Sequence, residues 1–283
     1  MKSPKAAFSI AVLLIIAPIP ASAYNILALD MGGYWDNLGD QQIGAIPGMG
    51  TPGLPGQRYY TMVEPQDLAS VNLMDFDVFL VQSAFTDDDV QQRATVALQA
   101  LEGKAADIAS FVHAGHGLVA WTEPLPDGSD WNWGWSPMSL TSRGVFHENA
   151  VEITDPAHPV MNNLTDALLS DWHSSWHGYF ESWDPRLEEI SQSGDYGAGD
   201  PRTHRALTLA GAFDPDGDGR TVFSMQDPDF HAYQGFAGAQ TLIENSLDWA
   251  SLSRPIPEPR AGLLLACGLG FAAVVLRRRI GGA

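Results

Sequence analysis

Apolar residues in this chain come in short solid runs separated by glycine- and proline-rich stretches, a spacing that predicts strands alternating with a helix. Asn25–Leu29 is such a run, and it stops at Asp30, the form of a strand covered on both faces. Residues 31–58 hold eight glycines and three prolines and read as loop. Tyr59–Val63 predicts a second strand, and Asp77–Val81 a third, the clearest of the set. Thr86 followed by Asp87, Asp88 and Asp89 has the form of an N-cap with acidic first-turn residues matched to the helix dipole. From there to Val112 the apolar spacing is helical, with Gly103 expected to break it. Gly115-His116-Gly117 closes that helix and opens a fourth strand, Leu118–Trp121. Strand, helix, strand in this order implies right-handed crossovers and a parallel sheet.

The two ends of the chain have a different pattern. Lys2 and Lys5 precede an apolar stretch, Ala6–Pro18, and Ala21-Ser22-Ala23 has the small-x-small form of a signal-peptidase site. Residues 1–23 therefore read as a signal peptide, cut after Ala23. At the other end, residues 254–283 hold Pro257-Glu258-Pro259, the apolar run Ala261–Leu276, and Arg277-Arg278-Arg279. Sixteen helical residues reach about 24 Å at ~1.5 Å per residue, short of the roughly 30 Å hydrocarbon core. That length suits a sorting signal better than a permanent single-span anchor, the alternative reading. The order of motif, apolar helix and basic cluster resembles the PEP-CTERM sorting signal. The resemblance implies an exosortase-type transpeptidase as partner and an inner-membrane intermediate. It also implies a final place at the cell surface or in the extracellular matrix of a Gram-negative bacterium.

Charge narrows the partners of the remaining domain, residues 24–253. Between Tyr24 and Arg254 there are 33 acidic residues against 9 basic ones, a net charge of −24. Such a surface repels nucleic acid and anionic lipid and favours cations or neutral partners. The one cysteine, Cys267, lies inside the sorting helix, so the domain has neither a disulfide nor thiol chemistry.

Several segments resemble the class I glutamine amidotransferase-like fold, and its ThuA-like branch in particular. They are Asp77–Gln82, Ile108–Ala120, His158-Pro159-Val160, and Gly219–Ser224 followed by a helix through Asn245 and Trp249. The resemblance implies a flavodoxin-like three-layer α/β sandwich with a mainly parallel central sheet. It does not carry the amidotransferase activity across. The turn after Leu118–Trp121 reads Thr122-Glu123-Pro124, without the family's nucleophilic cysteine. Attack on a glutamine amide has no thiolate to make it, and glutaminase activity is rejected.

Ligands in folds of this type bind beyond the carboxyl ends of the strands. Asp30 and Asp36, Gln82 and Ser83, and Glu123 lie at such ends, and His147, His173, His177 and His231 can join them from later segments. Glu123 beside His177 or His231 would make an acid–base site. His173 and His177 are four apart, a metal-binding spacing on a helix, but their aromatic surroundings suit strand or loop. Asp214, Asp216 and Asp218 alternate before a glycine like the first half of a calcium loop. The twelfth position is Met225, without the bidentate glutamate, so an acidic hairpin turn between Leu207–Leu209 and Thr221–Phe223 explains the same residues. Calcium is the one cofactor suggested, and none is required. Trp131, Trp133 and Trp135 alternate, so in an extended segment their rings share one face. Exposed, they would stack on sugars of an extracellular polysaccharide; buried, they would cover the sheet edge.

These features together predict an exported, surface-sorted protein acting as a non-catalytic binding or structural component. The alternative is an extracellular carbohydrate hydrolase using Asp, Glu and His side chains. Convergence of histidines and acids in one place would favour the enzyme; a flat tryptophan face would favour binding.

Overall fold

The computed structural model describes residues 23–31, 49, 58–83, 88–122, 132–214 and 219–252, with the side chains of 88–93 and 146–147 left aside. The signal peptide apart from Ala23, the sorting segment, and Thr86 with its cap lie outside the described residues. Among the described residues, no helix is long and apolar enough to cross a membrane.

The solid apolar runs become the strands of a parallel half-sheet. They are β1 (Tyr24–Leu29), β2 (Arg58–Val63), β3 (Val78–Val81) and β4 (Gly117–Trp121). The first strand lies parallel between β2 and β3, and β3 pairs parallel with β4. The helix α1 (Asp88–His113) makes the crossover from β3 to β4. It runs through Gly103 without a break: a Cβ there would meet nothing within 4 Å, and the packed turns on either side hold the backbone helical.

The second half of the sheet departs from the mainly parallel expectation. It contains β5 (Leu140–Glu148), β6 (Val151–Ile153), β7 (Trp176–Trp183), β8 (Leu187–Ser193), β9 (Ala206–Ala212) and β10 (Arg220–Ser224). The order is β2-β1-β3-β4-β10-β9-β7-β5, with β8 against β9 and β6 against β8. Only β10 joins the parallel set, alongside β4. Every other pairing from β10 onward is antiparallel. Two of these pairs, β8–β9 and β9–β10, are consecutive in the chain and joined by connections of the kind that serve antiparallel neighbours; the others bring together strands with a further strand between them in sequence. Strands β9 and β10 pair antiparallel up to the Phe213 N–H, which donates to the Gly219 carbonyl; residues 215–218 of the acidic segment lie outside the described residues.

Alternation along the parallel strands sends side chains to two separate cores. Leu27, Leu29, Phe79, Val81, Leu118, Ala120 and Phe223 meet α1 through Ala97, Leu101, Ile108 and Phe111. Ile26, Ala28, Val78, Leu80, Val119 and Val222 meet the last helix, α4 (Ala237–Ser251), through Leu242, Ile243 and Leu247. Helix, sheet and helix make three layers here. Gly117 allows α4 to approach the sheet closely, since a Cβ would fall 2.6 Å from the Ala250 carbonyl oxygen. Two short helices, α2 (Asp166–Ser170) and α3 (Pro228–Tyr233), complete the set.

Candidate functional site

Polar residues gather where the parallel strands end. Asp30 follows β1, Gln82 and Ser83 follow β3, Thr122 follows β4, and Gln226 and Asp227 follow β10; all are buried. Each sits where backbone pairing stops and side chains converge from neighbouring strands.

The segment leaving β10 is the one that carries chemistry. Pro228 occupies the first turn of α3, where its missing N–H is no loss, and Asp227 holds the N-cap position. The Asp227 carboxylate makes no capping hydrogen bond. It turns instead toward two imidazoles. His231 lies one helical turn on, and its Nε2 is 3.3 Å from Asp227 Oδ1. His177, near the start of β7, places its Nε2 at the same 3.3 Å from the same oxygen. The His177 backbone N–H donates to the Met225 carbonyl at 3.1 Å, which ties β7 to the chain leaving β10.

Ser174 completes the group. Its carbonyl oxygen lies 2.9 Å from His231 Nε2, and its hydroxyl 3.2 Å from His177 Nε2. Trp172, Phe230 and Phe236 wall the His231 ring, with centroids 5.4, 5.2 and 5.6 Å away. His177, Asp227 and His231 are 4%, 3% and 2% exposed, so the cluster operates out of bulk water.

Burial on its own would raise the Asp227 carboxyl, but His177 and His231 beside it hold it well below the usual carboxylate range. Asp229, two residues on, has the opposite outcome. Its burial, opposed by bonds from Ser83 and reinforced by the charge of Asp227, pushes it up to about 6. The Ser83 N–H donates to Asp229 Oδ2 at 3.1 Å and the Ser83 hydroxyl donates to Oδ1, which pins α3 to the end of β3.

The sequence candidates separate sharply. His177 and His231 come together, and Ser83 lies at the same edge. His173 does not pair with His177; it sits in a bend with φ 67°, its ring edge-on to Phe236 at 5.7 Å. His147 is on β5 with its side chain not described, and Asp36 and Glu123 lie outside the described residues. Asp214 is exposed in the hairpin, while Asp216 and Asp218 lie outside the described residues.

The tryptophan row is corrected. Trp133 and Trp135 are 5% and 1% exposed, so neither offers a face to sugar. Trp133 packs on Phe180 and Phe223 at 5.6 and 5.5 Å, and its indole N–H donates to Ser142 at 2.9 Å. The expected extended segment is a turn, so strand alternation does not apply; the two rings pack 5.8 Å apart and point into the core. Trp131 lies outside the described residues.

Asp227 and Asp229 escaped the sequence reading, as did the Ser174 carbonyl. A signal existed for the first: Asp-Pro opening a helix with histidine one turn later puts carboxylate and imidazole on one face.

No family model matches the chain, and no curated protein matches it. Among solved structures, the fold is similar to a ThuA-like protein from Bacteroides uniformis at 11% identity and a TM-score of 0.47, covering 85% of this chain and 95% of that one.

Proposed function

We propose that the protein is an exported hydrolase of extracellular carbohydrate, with His177, Asp227 and His231 as the group that activates the attacking water. The observation that carries this reading is the convergence of two imidazoles and one carboxylate on a single buried point at the carboxyl edge of the parallel strands. Hydrolysis needs a base or Lewis acid at the water and surroundings that keep bulk solvent away. The cluster offers the first and its aromatic walls the second.

A serine nucleophile is disfavoured by the geometry. A Ser–His–Asp relay uses both ring nitrogens of the histidine, one for each partner. Here Ser174 Oγ and Asp227 Oδ1 meet the same nitrogen, His177 Nε2. Water is the nucleophile this arrangement can serve.

Neutral carbohydrate fits the remaining features. The charge of −24 between Tyr24 and Arg254 disfavours phosphorylated or polyanionic substrates. The signal peptide and the PEP-CTERM-like tail would deliver the protein, through an exosortase-type partner, to a surface rich in polysaccharide. The non-catalytic binding reading relied on an exposed tryptophan row, which Trp133 and Trp135 do not form.

The test is release of reducing ends from exopolysaccharide by the purified chain. His177→Ala and His231→Ala should each lower the rate by at least about a hundredfold, the scale of losing one group in proton-transfer catalysis. Wild-type protein that binds the polysaccharide and releases nothing would sink the enzyme and restore the binding component.

A further inference from the structure

The geometry points to a bound zinc ion held by His177 Nε2, His231 Nε2 and Asp227 Oδ1. This inference deepens the hydrolase reading, since it concerns the same cluster and names what activates the water there.

Three observations favour a cation over a plain hydrogen-bonded network. First, both Nε2 atoms lie 3.3 Å from Asp227 Oδ1. That is long for N–H···O bonds, whose usual length is about 2.9–3.0 Å. It equals the ligand-to-ligand edge of a tetrahedron with metal bonds of about 2.0–2.1 Å, which is roughly 3.3–3.4 Å. Second, Asp227 Oδ1 is buried and, among the described residues, accepts no hydrogen bond. A buried carboxylate oxygen without a donor is costly, and a cation removes that cost. Third, the three donor atoms come from separate anchors that keep them facing one another. Asp227 and His231 share one face of α3, Asp229 fixes that helix to Ser83, and the His177 backbone is bonded to Met225.

The donor set narrows the metal to a first-row transition ion: two imidazole nitrogens and one carboxylate suit zinc and also ferrous iron, whereas calcium and magnesium prefer oxygen alone. Hydrolysis needs no change of oxidation state, which favours zinc. Three protein ligands leave a fourth position, the arrangement of zinc sites that bind water and lower its pKa to about 7. The Ser174 carbonyl, 2.9 Å from His231 Nε2, can accept only from a protonated nitrogen, so zinc would displace that proton and the carbonyl would then accept from a metal-bound water.

Metal binding can be read without any substrate. The full chain, purified without a histidine tag and stripped by chelator, is titrated with Co2+ and then with Zn2+. We expect one Co2+ per chain with the intense visible absorption of a four- or five-coordinate centre, bleached by one equivalent of Zn2+, and a melting temperature that rises on zinc loading. Asp227→Asn, which preserves shape, should abolish the cobalt spectrum while circular dichroism stays native; His177→Ala should do the same. Asp214→Asn, in the exposed hairpin, should leave it unchanged. Absence of stoichiometric cobalt in the wild-type chain, or an unchanged spectrum in both site variants, overturns the zinc centre. The two readings fail separately. Stoichiometric zinc without sugar release would leave the site standing and remove the hydrolase. Sugar release that survives complete chelation would leave the hydrolase and remove the zinc.

Discussion

The parallel and antiparallel halves of the sheet treat their charged residues in opposite ways. In the parallel half, β1, β3, β4 and β10 end at one edge, and the polar residues after them are buried together. In the antiparallel half, turns fall at both edges and their charges pair locally. Asp184 binds Arg186 in the turn from β7 to β8, and Asp200 binds Arg202 ahead of β9, both two residues apart in sequence. Each pair closes within its own turn, and each arginine reaches one further group, Glu148 for Arg202 and the Phe213 carbonyl for Arg186. A site needs groups from several elements at one point, and the carboxyl edge of the parallel strands brings two imidazoles and a carboxylate together. His177, from the antiparallel half, takes part because β7 starts against the chain leaving β10.

The largest effect expected of a test lies with the tryptophans of the second half. Trp133→Ala should destabilise the protein by roughly 3–5 kcal/mol in denaturant unfolding, as for a large aromatic removed from a packed core. A loss below about 1 kcal/mol would place Trp133 with surface residues and erase the contrast drawn here.

A smaller effect separates the two edges of the parallel half. At the amino edge, Arg58 donates to both Asp248 carboxylate oxygens at 2.9 and 2.7 Å and to the Tyr24 hydroxyl at 3.0 Å, joining β2, α4 and β1. Arg58→Ala should lower stability by about 1–3 kcal/mol, the range for hydrogen bonds to charged groups, and leave cobalt binding intact. If it also abolished cobalt binding, the two edges would not be the independent regions described above.

The smallest effect belongs to the turn charges. Arg186 beside Asp184 donates through both its side chain and its backbone, and holds that carboxyl at about 2. A carboxyl depressed on folding contributes stability above its unfolded pKa of about 3.9 and loses it as pH falls through the folded value. Asp184→Asn should therefore cost less than about 1 kcal/mol at pH 7, because the pair is partly exposed to solvent, and only a small fraction of that near pH 2. Thermal unfolding at the two pH values checks it, and an equal loss at both would remove the ion pair as the cause.

Much of the first half was legible from the pattern of residues. Ile26–Leu29, Val78–Val81 and Leu118–Trp121 are apolar at every position because helices cover both faces, and nothing but a buried parallel strand explains such runs. The antiparallel half was less legible. Its strands mix glycine, serine and charge, and Leu187–Ser193 alternates only partly between buried and exposed positions. The tryptophan row shows a further limit. Alternation would put Trp133 and Trp135 on one face of an extended segment, but the segment is a turn, and Trp133 is buried because Phe180 and Phe223 lie against it.

The candidate site divides along the same line. From the sequence alone came the rejection of thiol chemistry, the acidic charge, the order of the first strands, and His177 and His231 as separate candidates. Their meeting at Asp227 was decided by the tertiary structure. Asp227 and His231 are four residues apart and joined by a helical turn, a local relation. His177 is fifty residues from Asp227, and its place depends on β7 docking where β10 ends. Local chemistry fixes what each residue can do, whereas the long-range pairing of strands fixes which residues do it together.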